Sequence, residues 1–315
     1  MKVLITGAAG FIGGHLSKHL EEHGYDVTRM DCPWRTLQTI PEIGDIHRFG
    51  DLAAPTVMPR AMEMYEPDLV IHLAAQIGRV LGDDVPSLTV QSNAVATINV
   101  AVACRNAGIP LLYTSTSEVY GDLQGMEAVE SMVLNQPPHN LYGLTKLWGE
   151  EAIALVGGSF QIVRLSMPYG PGLPAGRGRA AIVNFIDQAR RRVEIPVHRG
   201  AERSWCWVGD TVAGIRTVLE DGDQGANVED WSNGVGIYNV GRDDDPRPMG
   251  DVAAMACDIV GAPRDLITIV DPPTNVTPVK RLSTRKLRRL GWEPKVGLEE
   301  GMQMLHDAMY ATKAA

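Results

Sequence analysis

The sequence predicts an α/β fold built on a doubly wound parallel sheet, with a smaller C-terminal lobe. In the first half of the 315-residue chain, short β-branched runs alternate with stretches of helical periodicity. Strands that alternate with helices form right-handed βαβ crossovers, which place the strands parallel in one sheet. After Arg164 the pattern changes, because the stretch MPYGPGLPAGRGR is rich in Pro and Gly and predicts a crossing between lobes or an active-site loop.

The predicted elements follow the chain in regular order. In the first half they are the strand KVLIT, the helix FIGGHLSKHLEEHG, the strands DVTRMD and DLVIHLA, a helix from about Val90 to Ala107, the strand PLLYTS, a helix from about Tyr142, and the strand QIVRLS. The second half predicts a helix from Ala181 to Arg192, the apolar piece SWCWVGD, another helix, the strand GIYNVG and two or three C-terminal helices. We therefore expect a first domain over residues 1–165, to which a segment at about 205–241 returns, and a second lobe formed by residues 166–204 and 242–315.

Composition and charge argue against several classes of protein. With 44% apolar and 21% charged residues, the chain is long enough to bury a large core. The net charge of −9 is spread without a long acidic block and argues against a nucleic-acid partner. Four widely spaced cysteines suggest neither a metal site nor a disulfide framework and fit a reduced cytoplasmic compartment. The opening MKVLITGAAG does not resemble a signal peptide, and no apolar run approaches the roughly 18 residues of a membrane span.

A glycine-rich turn after the first strand predicts a dinucleotide site. Gly7, Gly10 and Gly13 form a G-x-x-G-x-x-G that opens a helix, where glycines permit a tight turn and close approach to a pyrophosphate. The helix N-terminus offers N–H donors to phosphates. A glycine turn that binds nothing is the alternative, but Asp31 ends the second strand at a distance that suits hydrogen bonds from the adenosine ribose diol. A carboxylate there repels a 2′-phosphate, so we expect NAD rather than NADP.

Neighbouring residues bear on the same cofactor assignment. Arg29 and Arg35 lie close to Asp31 in the sequence and weaken the preference for NAD a little. Asp51 and Leu52 follow at a distance that suits contact with adenine, although an Asp in a loop is more often a turn residue. We therefore include Asp51 and Leu52 among the predicted cofactor contacts.

A second group of residues predicts acid–base chemistry. The strand PLLYTS runs into Thr116, Ser117 and Glu118, which place two hydroxyls beside a carboxylate. Tyr142 and Lys146 lie four residues apart on the following helix and so share one face. A neighbouring cation, helped by an oxidised nicotinamide, lowers the pKa of a tyrosine from about 10 and makes it a general base. The pattern Y-x-x-x-K is weak alone, but here the base and the hydroxyls converge at the carboxyl ends of the strands.

The ordered set of motifs resembles the extended short-chain dehydrogenase/reductase family, in particular its nucleotide-sugar epimerases, dehydratases and decarboxylases. The motifs are GAAGFIG, Asp31, HLAA, STSEVYG, YGLTK, YGPG and GWEP, and they cover nearly the whole chain. The resemblance implies an NAD-binding Rossmann domain and a Ser/Thr-Tyr-Lys triad of Thr116, Tyr142 and Lys146, with Lys146 also on the nicotinamide ribose. We expect a homodimer. Further predicted cofactor contacts are Phe11, Ile12, Leu73, Ala74, Ala75 and Pro168.

The second half resembles the family segment that grips a nucleoside diphosphate. In NFIDQARRRVEIPVHRGAERSWCWVGD, the resemblance places Asn184 and Arg203 at the diphosphate of a nucleotide-diphosphate sugar. It also places the piece Ile195–His198, which contains Val197, along the base. An Arg also suits a phosphate on chemical grounds. The predicted contacts to the sugar are Gln76, Thr116, Ser117 and Glu118.

Some residues depart from the family pattern or allow two interpretations. Met167 stands where the family usually has Asn, and Leu282 where relatives often have Asp. A thioether does not donate a hydrogen bond, so the Met167 position predicts an atypical sugar pocket. Trp34, Trp205 and Trp207 fit either pocket walls or core packing.

The leading functional prediction is an NAD-dependent nucleotide-sugar 4-epimerase. Tyr142 takes the proton of a sugar hydroxyl while hydride passes to NAD, and the transient 4-keto sugar then turns over and receives the hydride on its other face. Glu118 leaves alternatives open, because a base at C5 would give a 4,6-dehydratase and action on glucuronate would give a UDP-glucuronate decarboxylase. Glu118 equally fits a residue that only binds a sugar hydroxyl. A dinucleotide-sensing protein without turnover usually lacks the Tyr or the Lys, and a dehydrogenase of small alcohols does not need the diphosphate segment.

Overall fold

A parallel sheet of seven strands forms the centre of the computed structural model, which describes residues 1–32, 45–132, 138–176, 180–223, 236–273 and 277–310. All neighbouring strands in it run parallel, which confirms the predicted doubly wound α/β fold. In spatial order the strands are Ile237–Val240, Phe160–Leu165, Leu111–Thr116, Leu69–His72, Lys2–Thr6, Asp26–Asp31 and His47–Arg48. The edge strand Ile237–Val240 comes from the second half of the chain and pairs with Phe160–Leu165.

Helices pack on both faces of the sheet. Val3 and Ile5 belong to the same core cluster as Leu16 of the first helix, whereas Leu4 belongs to the cluster on the opposite face. This alternation is the period of two that a strand imposes on its side chains. The described helices are Phe11–Glu22, Val57–Tyr65, Arg79–Asp84, Pro86–Val90, Ala96–Ala107, Leu141–Val156, Ala181–Arg191, Val208–Asp221, Met249–Val260, Arg285–Arg288 and Leu298–Tyr310. No helix in the described ranges is long and apolar enough to cross a membrane.

Four two-stranded sheets lie outside the seven-stranded sheet. One pair is antiparallel, and the other three are parallel. The pairs are Glu202–Ser204 with Pro246–Pro248, Cys206–Trp207 with Pro168–Tyr169, Ile267–Val270 with Ile195–His198, and Arg281–Leu282 with Glu127–Ala128. In the last pair, Glu127–Ala128 follows the strand Leu111–Thr116, and Arg281–Leu282 comes from the second half of the chain. Residues 281–282 therefore lie near the end of the strand that carries Thr116.

The helix predicted from about Val90 begins four residues earlier. Pro86 occupies the first turn of Pro86–Val90, where its fixed φ suits a helix and its missing N–H costs nothing. The chain then passes through a π-helical turn, Gln91–Val95, before it continues as Ala96–Ala107. The helical structure therefore begins one turn before the predicted start.

The residues that departed from the family pattern have structural explanations. Met167 has a φ of 48°, a region that Asn tolerates better than Met does. Leu282 is buried with Val119 and Tyr120 in a small apolar cluster. Trp205 and Trp207 are buried in the main core, whereas Trp34 and Arg35 lie outside the described residues.

A buried ion pair anchors the helix Leu141–Val156 to the sheet. Arg164 donates to Glu150 through Nε and through Nη2, which lies 2.7 Å from Oε2. Both side chains are almost completely buried, with exposed fractions of 2% and 0%. Arg164 also lies over the ring of Tyr120, 4.7 Å from its centroid. The pair therefore holds the helix in register with the strand Phe160–Leu165.

Replacing Glu150 with Gln should lower the free energy of unfolding by about 3–5 kcal/mol, because the Arg164 guanidinium would stay buried without a counter-charge. Chemical denaturation measures this change. As a control, Asp187→Asn removes the exposed ion pair with Arg191, and should cost about 1 kcal/mol or less. Equal losses for the two variants would contradict the prediction.

Candidate active site

The glycine-rich turn packs directly against the end of the neighbouring strand. Gly7 has a φ of 75°, and a Cβ at this position would lie 2.6 Å from the backbone nitrogen of Ala74. A Cβ on Gly13 would lie 2.3 Å from the carbonyl oxygen of Gly7. The backbone N–H of Leu73 donates to the carbonyl oxygen of Thr6 at 3.1 Å. The structure thus brings the turn together with Leu73 and Ala74, two of the predicted cofactor contacts.

The helix that follows the turn presents an N-terminus suited to an anion. The helix Phe11–Glu22 begins after Gly10. Among the described residues, no side chain caps this helix, and its first turn contains no acidic residue. The positive end of the helix dipole and the N–H groups near Ile12 therefore face the turn without a competing carboxylate. Together with the small residues Gly7 and Ala74, this donor set fits the pyrophosphate of a dinucleotide.

Asp31 supports the turn as well as standing at the predicted ribose position. Its Oδ2 accepts from the backbone N–H of Ala9 at 2.9 Å, and its Oδ1 accepts from Cys32 at 2.8 Å. Each carboxylate oxygen has a second lone pair with which it can accept a ribose hydroxyl. Arg29, whose charge weakened the case for NAD, forms an ion pair with Glu21. The local charge therefore agrees with NAD rather than a 2′-phosphorylated cofactor.

The loop predicted to contact adenine has its own internal contacts. The Oδ1 atom of Asp51 accepts from the backbone N–H of Ala53 at 2.9 Å, as in a turn stabilised by an Asx side chain. Asn99 Nδ2 donates to the carbonyl oxygens of Leu52 and Ala53, both at 2.9 Å. Asp51 thus acts as a turn residue in the structure, and its contact with adenine stays a prediction.

The strand Leu111–Thr116 and the helix Leu141–Val156 bring the predicted triad together. Thr116 Oγ1 accepts from the backbone N–H of Glu118 at 3.3 Å and so caps the short 3₁₀ helix Ser117–Tyr120. The same Thr116 side chain hydrogen-bonds with Tyr142. Lys146 follows one turn later on the same helix. Hydroxyl, phenol and ammonium therefore lie along one face of the site.

Tyr142 is protonated at neutral pH in this arrangement. Burial is the main reason that its pKa is raised to about 12; the nearby Glu118 raises it further, and the hydrogen bond with Thr116 lowers it. A phenol with this pKa needs an additional positive charge before it can act as a base. An oxidised nicotinamide is a charge of the required sign.

Lys146 has the opposite shift. Burial lowers its pKa to about 7, and Glu150 one turn away partly offsets this. Its ammonium lies 4.2 Å from the centroid of the Tyr113 ring, a cation–π contact. Behind it, His72 is held between Thr6 Oγ1 at 2.7 Å and the Thr97 hydroxyl, and burial lowers its pKa to about 3. His72 is therefore neutral, and its proximity does not add a second cation.

Glu118 is bound by two partners that the sequence did not predict. Its Oε1 forms an ion pair with Lys280, and its Oε2 accepts from Asn140 Nδ2 at 3.1 Å. Burial by itself would raise the pKa of Glu118, but the contacts with Lys280 and Asn140 outweigh it and leave the pKa below its usual value. Asn140 also caps the helix Leu141–Val156, because its Oδ1 accepts from Gly143 N–H at 2.9 Å. An N-cap Asn before L-Y-G was a usable sequence signal, whereas a lone Lys far along the chain was not.

The predicted diphosphate residues make contacts within the protein. The guanidinium of Arg203 donates to the carbonyl oxygens of Glu202 at 2.7 Å and of Thr277 and Pro278 at 2.6 Å. Asn184 accepts from Gly176 N–H at 2.7 Å through its Oδ1 atom. The structure therefore adds a structural role to each side chain, and their contact with a diphosphate stays a prediction.

Two other predicted substrate contacts differ in their exposure. Val197 lies in the strand Ile195–His198, and its side chain is buried in the core. Its side chain therefore does not face a ligand. Ser117 lines a small cavity of about 20 Å³ together with Tyr120, Leu282 and Lys280. The side chain of Ser117, but not that of Val197, therefore borders open space.

Asn93 is a further positioning residue that sequence reasoning missed. It is buried in the π-helical turn, and its Oδ1 accepts from the backbone N–H of Gln76 at 2.7 Å. Its Nδ2 donates to the Gln76 carbonyl oxygen at 3.0 Å and to Thr145 Oγ1 at 3.1 Å. It thereby ties a predicted sugar contact, Gln76, to the helix that carries Tyr142. Among the described residues, no group of His, Cys, Asp and Glu could hold a metal ion.

Comparison with known proteins identifies the family. A model of the NAD-dependent epimerase/dehydratase family matches residues 3–241. The chain belongs to this family. It is therefore an NAD-dependent enzyme of the epimerase/dehydratase type, as the motifs predicted.

Individual relatives agree with this assignment. The chain is 28% identical over 318 residues to UDP-glucuronic acid decarboxylase 5 of Arabidopsis thaliana, which covers 98% of this chain and 89% of the relative. It is 27% identical to UDP-glucuronic acid decarboxylase 1 of Xenopus tropicalis, over 96% of this chain and 70% of the relative. The crystal structure of UDP-glucose 4-epimerase from Thermus thermophilus in complex with NAD superposes with a TM-score of 0.85 and 25% identity, over 99% of this chain and 100% of that chain.

Changing Asp31 to Ser should reduce the preference of the enzyme for NAD over NADP by about tenfold or more, because the charge that repels a 2′-phosphate is lost. Equilibrium binding of both dinucleotides gives the ratio. Asp26→Ser is the control, since it removes an exposed carboxylate at the opposite end of the same strand. An unchanged ratio in folded Asp31→Ser protein would remove Asp31 from the ribose site.

Proposed function

We propose that the protein is a nucleotide-sugar 4-epimerase that works through a transient 4-keto sugar. The observation that carries this proposal is the difference between the contacts of Tyr142 and those of Glu118. Tyr142 hydrogen-bonds with Thr116 and precedes Lys146 by one helical turn, whereas the neighbouring Glu118 is bound by Lys280 and Asn140. The site therefore has one residue placed to act as a base, which is what epimerisation requires.

The side chains divide the proton chemistry among them. The Tyr142 oxygen accepts the proton of the sugar hydroxyl at C4 and later returns it to the keto oxygen. Thr116 donates a hydrogen bond to that same sugar oxygen and stabilises the developing charge. Lys146 holds the nicotinamide ribose and favours the phenolate. NAD, when bound between the glycine turn and Tyr142, supplies the hydride acceptor and, once reduced, the donor that returns the hydride.

The state of Glu118 argues against a 4,6-dehydratase. Elimination of water requires a base that removes the C5 proton of the keto sugar. Glu118 is ionised, but its ion pair with Lys280 and its hydrogen bond from Asn140 make it a weak base. A role in binding a sugar hydroxyl fits these contacts better. We extend the proposal to Gln76 and Ser117 as sugar contacts and to Asn184 and Arg203 as diphosphate contacts.

UDP-glucuronate decarboxylation is the second candidate, and Lys280 favours it. A glucuronate carries a carboxylate at C6, and Lys280 is a cation that lines the cavity beside Ser117. The first half of the reaction is the same, since oxidation at C4 makes a β-keto acid that can lose CO₂. Relatives at 27% and 28% identity are UDP-glucuronic acid decarboxylases. The two candidates therefore differ only in the fate of the keto sugar.

Product analysis in deuterated water tests the proposal. We expect the NAD-loaded enzyme to invert C4 of a UDP-, GDP- or dTDP-hexose, with no deuterium at C5 by NMR, because no step removes that proton. Tyr142→Phe should slow turnover by about 10²-fold or more while NAD remains bound. A 6-deoxy-4-keto product with deuterium at C5 would replace the proposal with the dehydratase. Release of CO₂ from UDP-glucuronic acid, with formation of a UDP-pentose, would replace it with the decarboxylase.

We also propose that the enzyme is a homodimer that pairs through two neighbouring helices. The helices Ala96–Ala107 and Leu141–Val156 pack on each other and both carry large apolar side chains on their outer surface. Leu155 is 75% exposed and Trp148 is 42% exposed, and their spacing of seven residues places them on one face of the helix. The exposed side chains on these helices and on the preceding turn are Leu88, Val95, Ile98, Trp148 and Leu155. A second copy of the same surface would cover them.

The variant Trp148→Glu/Leu155→Glu should be a monomer, because a dimer would bury four carboxylates in its interface. Analytical ultracentrifugation measures the mass. Met64→Glu, at a residue 61% exposed on the separate helix Val57–Tyr65, should leave the mass unchanged. A monomeric wild-type protein would contradict the proposal.

A further inference from the structure

We propose that Lys280 is a positioning residue that neutralises Glu118 and so allows Tyr142 to act as the base. The inference rests on the proposed function, in which Tyr142 is the catalytic base. It goes further by giving a residue of the second lobe a part in the proton chemistry. Lys280 acts through Glu118 and need not touch the reacting atoms.

The position of Lys280 is set by a short ladder in the second lobe. The backbone N–H of Glu202 donates to the Pro278 carbonyl at 3.0 Å, and the Lys280 N–H donates to the Glu202 carbonyl at 3.3 Å. Arg203 adds its guanidinium contacts to the carbonyls of Thr277 and Pro278. These hydrogen bonds fix the backbone of residues 277–280. The side chain of Lys280, at the end of this stretch, forms the ion pair with Glu118.

Glu118 is placed where its charge opposes catalysis. It follows Thr116 by two residues, and it binds Asn140, which caps the helix two residues before Tyr142. An anion this close to a buried phenol disfavours the phenolate, and the proximity of Glu118 does raise the pKa of Tyr142. Lys280 forms its ion pair at the other carboxylate oxygen and offsets that charge. Deleting Lys280 would leave the anion and its effect on Tyr142.

Other groups near Tyr142 do not perform this task. Asp83, in the helix Arg79–Asp84, accepts from Leu141 N–H at 3.4 Å through its Oδ1 atom, and it adds negative rather than positive charge. Lys146 lies one helical turn from Tyr142, but burial lowers its own pKa to about 7. His72, farther back, has a pKa of about 3 and is uncharged. Arg203 also lowers the pKa of Glu118, but it contributes less than Lys280, which forms the ion pair. Compensation of Glu118 therefore comes mainly from Lys280.

Titration of Tyr142 in the NAD-loaded enzyme tests the inference without a known substrate. The ultraviolet difference between each protein and its own Tyr142→Phe derivative isolates the phenolate signal of this one tyrosine. We expect Lys280→Met to lower the ionisation constant of Tyr142 by about tenfold, which moves the transition to higher pH. Lys280→Arg keeps the charge and should leave the transition near its wild-type position. Arg281→Met, a neighbouring cation paired with Glu202, is the control and should not move it.

A double-mutant cycle separates charge from structure. Glu118→Gln should move the transition to lower pH, and Lys280→Met should then add little, because the charge that it compensates is gone. A transition that Lys280→Met leaves unmoved, or that it moves equally with and without Glu118, would overturn the inference. Retained turnover in Tyr142→Phe would instead overturn the proposed function. Circular dichroism of each variant confirms that the fold is intact.

Discussion

The half-buried carboxylate of Glu118 makes the contacts on which the geometry of the site depends. The backbone N–H of Glu118 donates to Thr116 at the end of the strand, and its carboxylate contacts Lys280 and Asn140, which caps the helix that carries Tyr142. A charge that is removed from water is costly without partners, so these contacts stabilise the meeting of the three elements. The same contacts that stabilise the carboxylate reduce its basicity. In the proposed mechanism, the contacts of Glu118 therefore leave the phenol of Tyr142, rather than the carboxylate, as the base.

The sheet, the glycine-rich turn and the spacing of Tyr142 and Lys146 were predictable because their causes are local. Glycine is required at Gly7 by a positive φ and a close approach, and both leave a mark in the sequence. The spacing of Tyr142 and Lys146 follows from the helical repeat, which one segment contains in full. These features need no knowledge of distant residues.

The features that sequence reasoning missed are those made by long-range contacts. Lys280 lies 162 residues from Glu118 and no motif joins them. Asn93 acts through a π-helical turn, which a period of 3.6 does not predict. The raised pKa of Tyr142 has burial as its main cause, so a four-residue spacing with Lys146 could not show it. The direction of a pKa shift therefore does not follow from a motif alone, because it depends on the packing around the residue.

The apolar cluster at Leu282 has a consequence for how this chain relates to its family. An aspartate placed there would be surrounded by Val119, Tyr120 and Ala128 and would carry its charge into an apolar cluster. Restoring by one substitution the Asp that relatives often have would therefore destabilise this cluster. The position is epistatic, because the effect of the substitution depends on its neighbours. Sequence exchange with relatives is constrained here by the order in which changes occur, even where the backbone is shared.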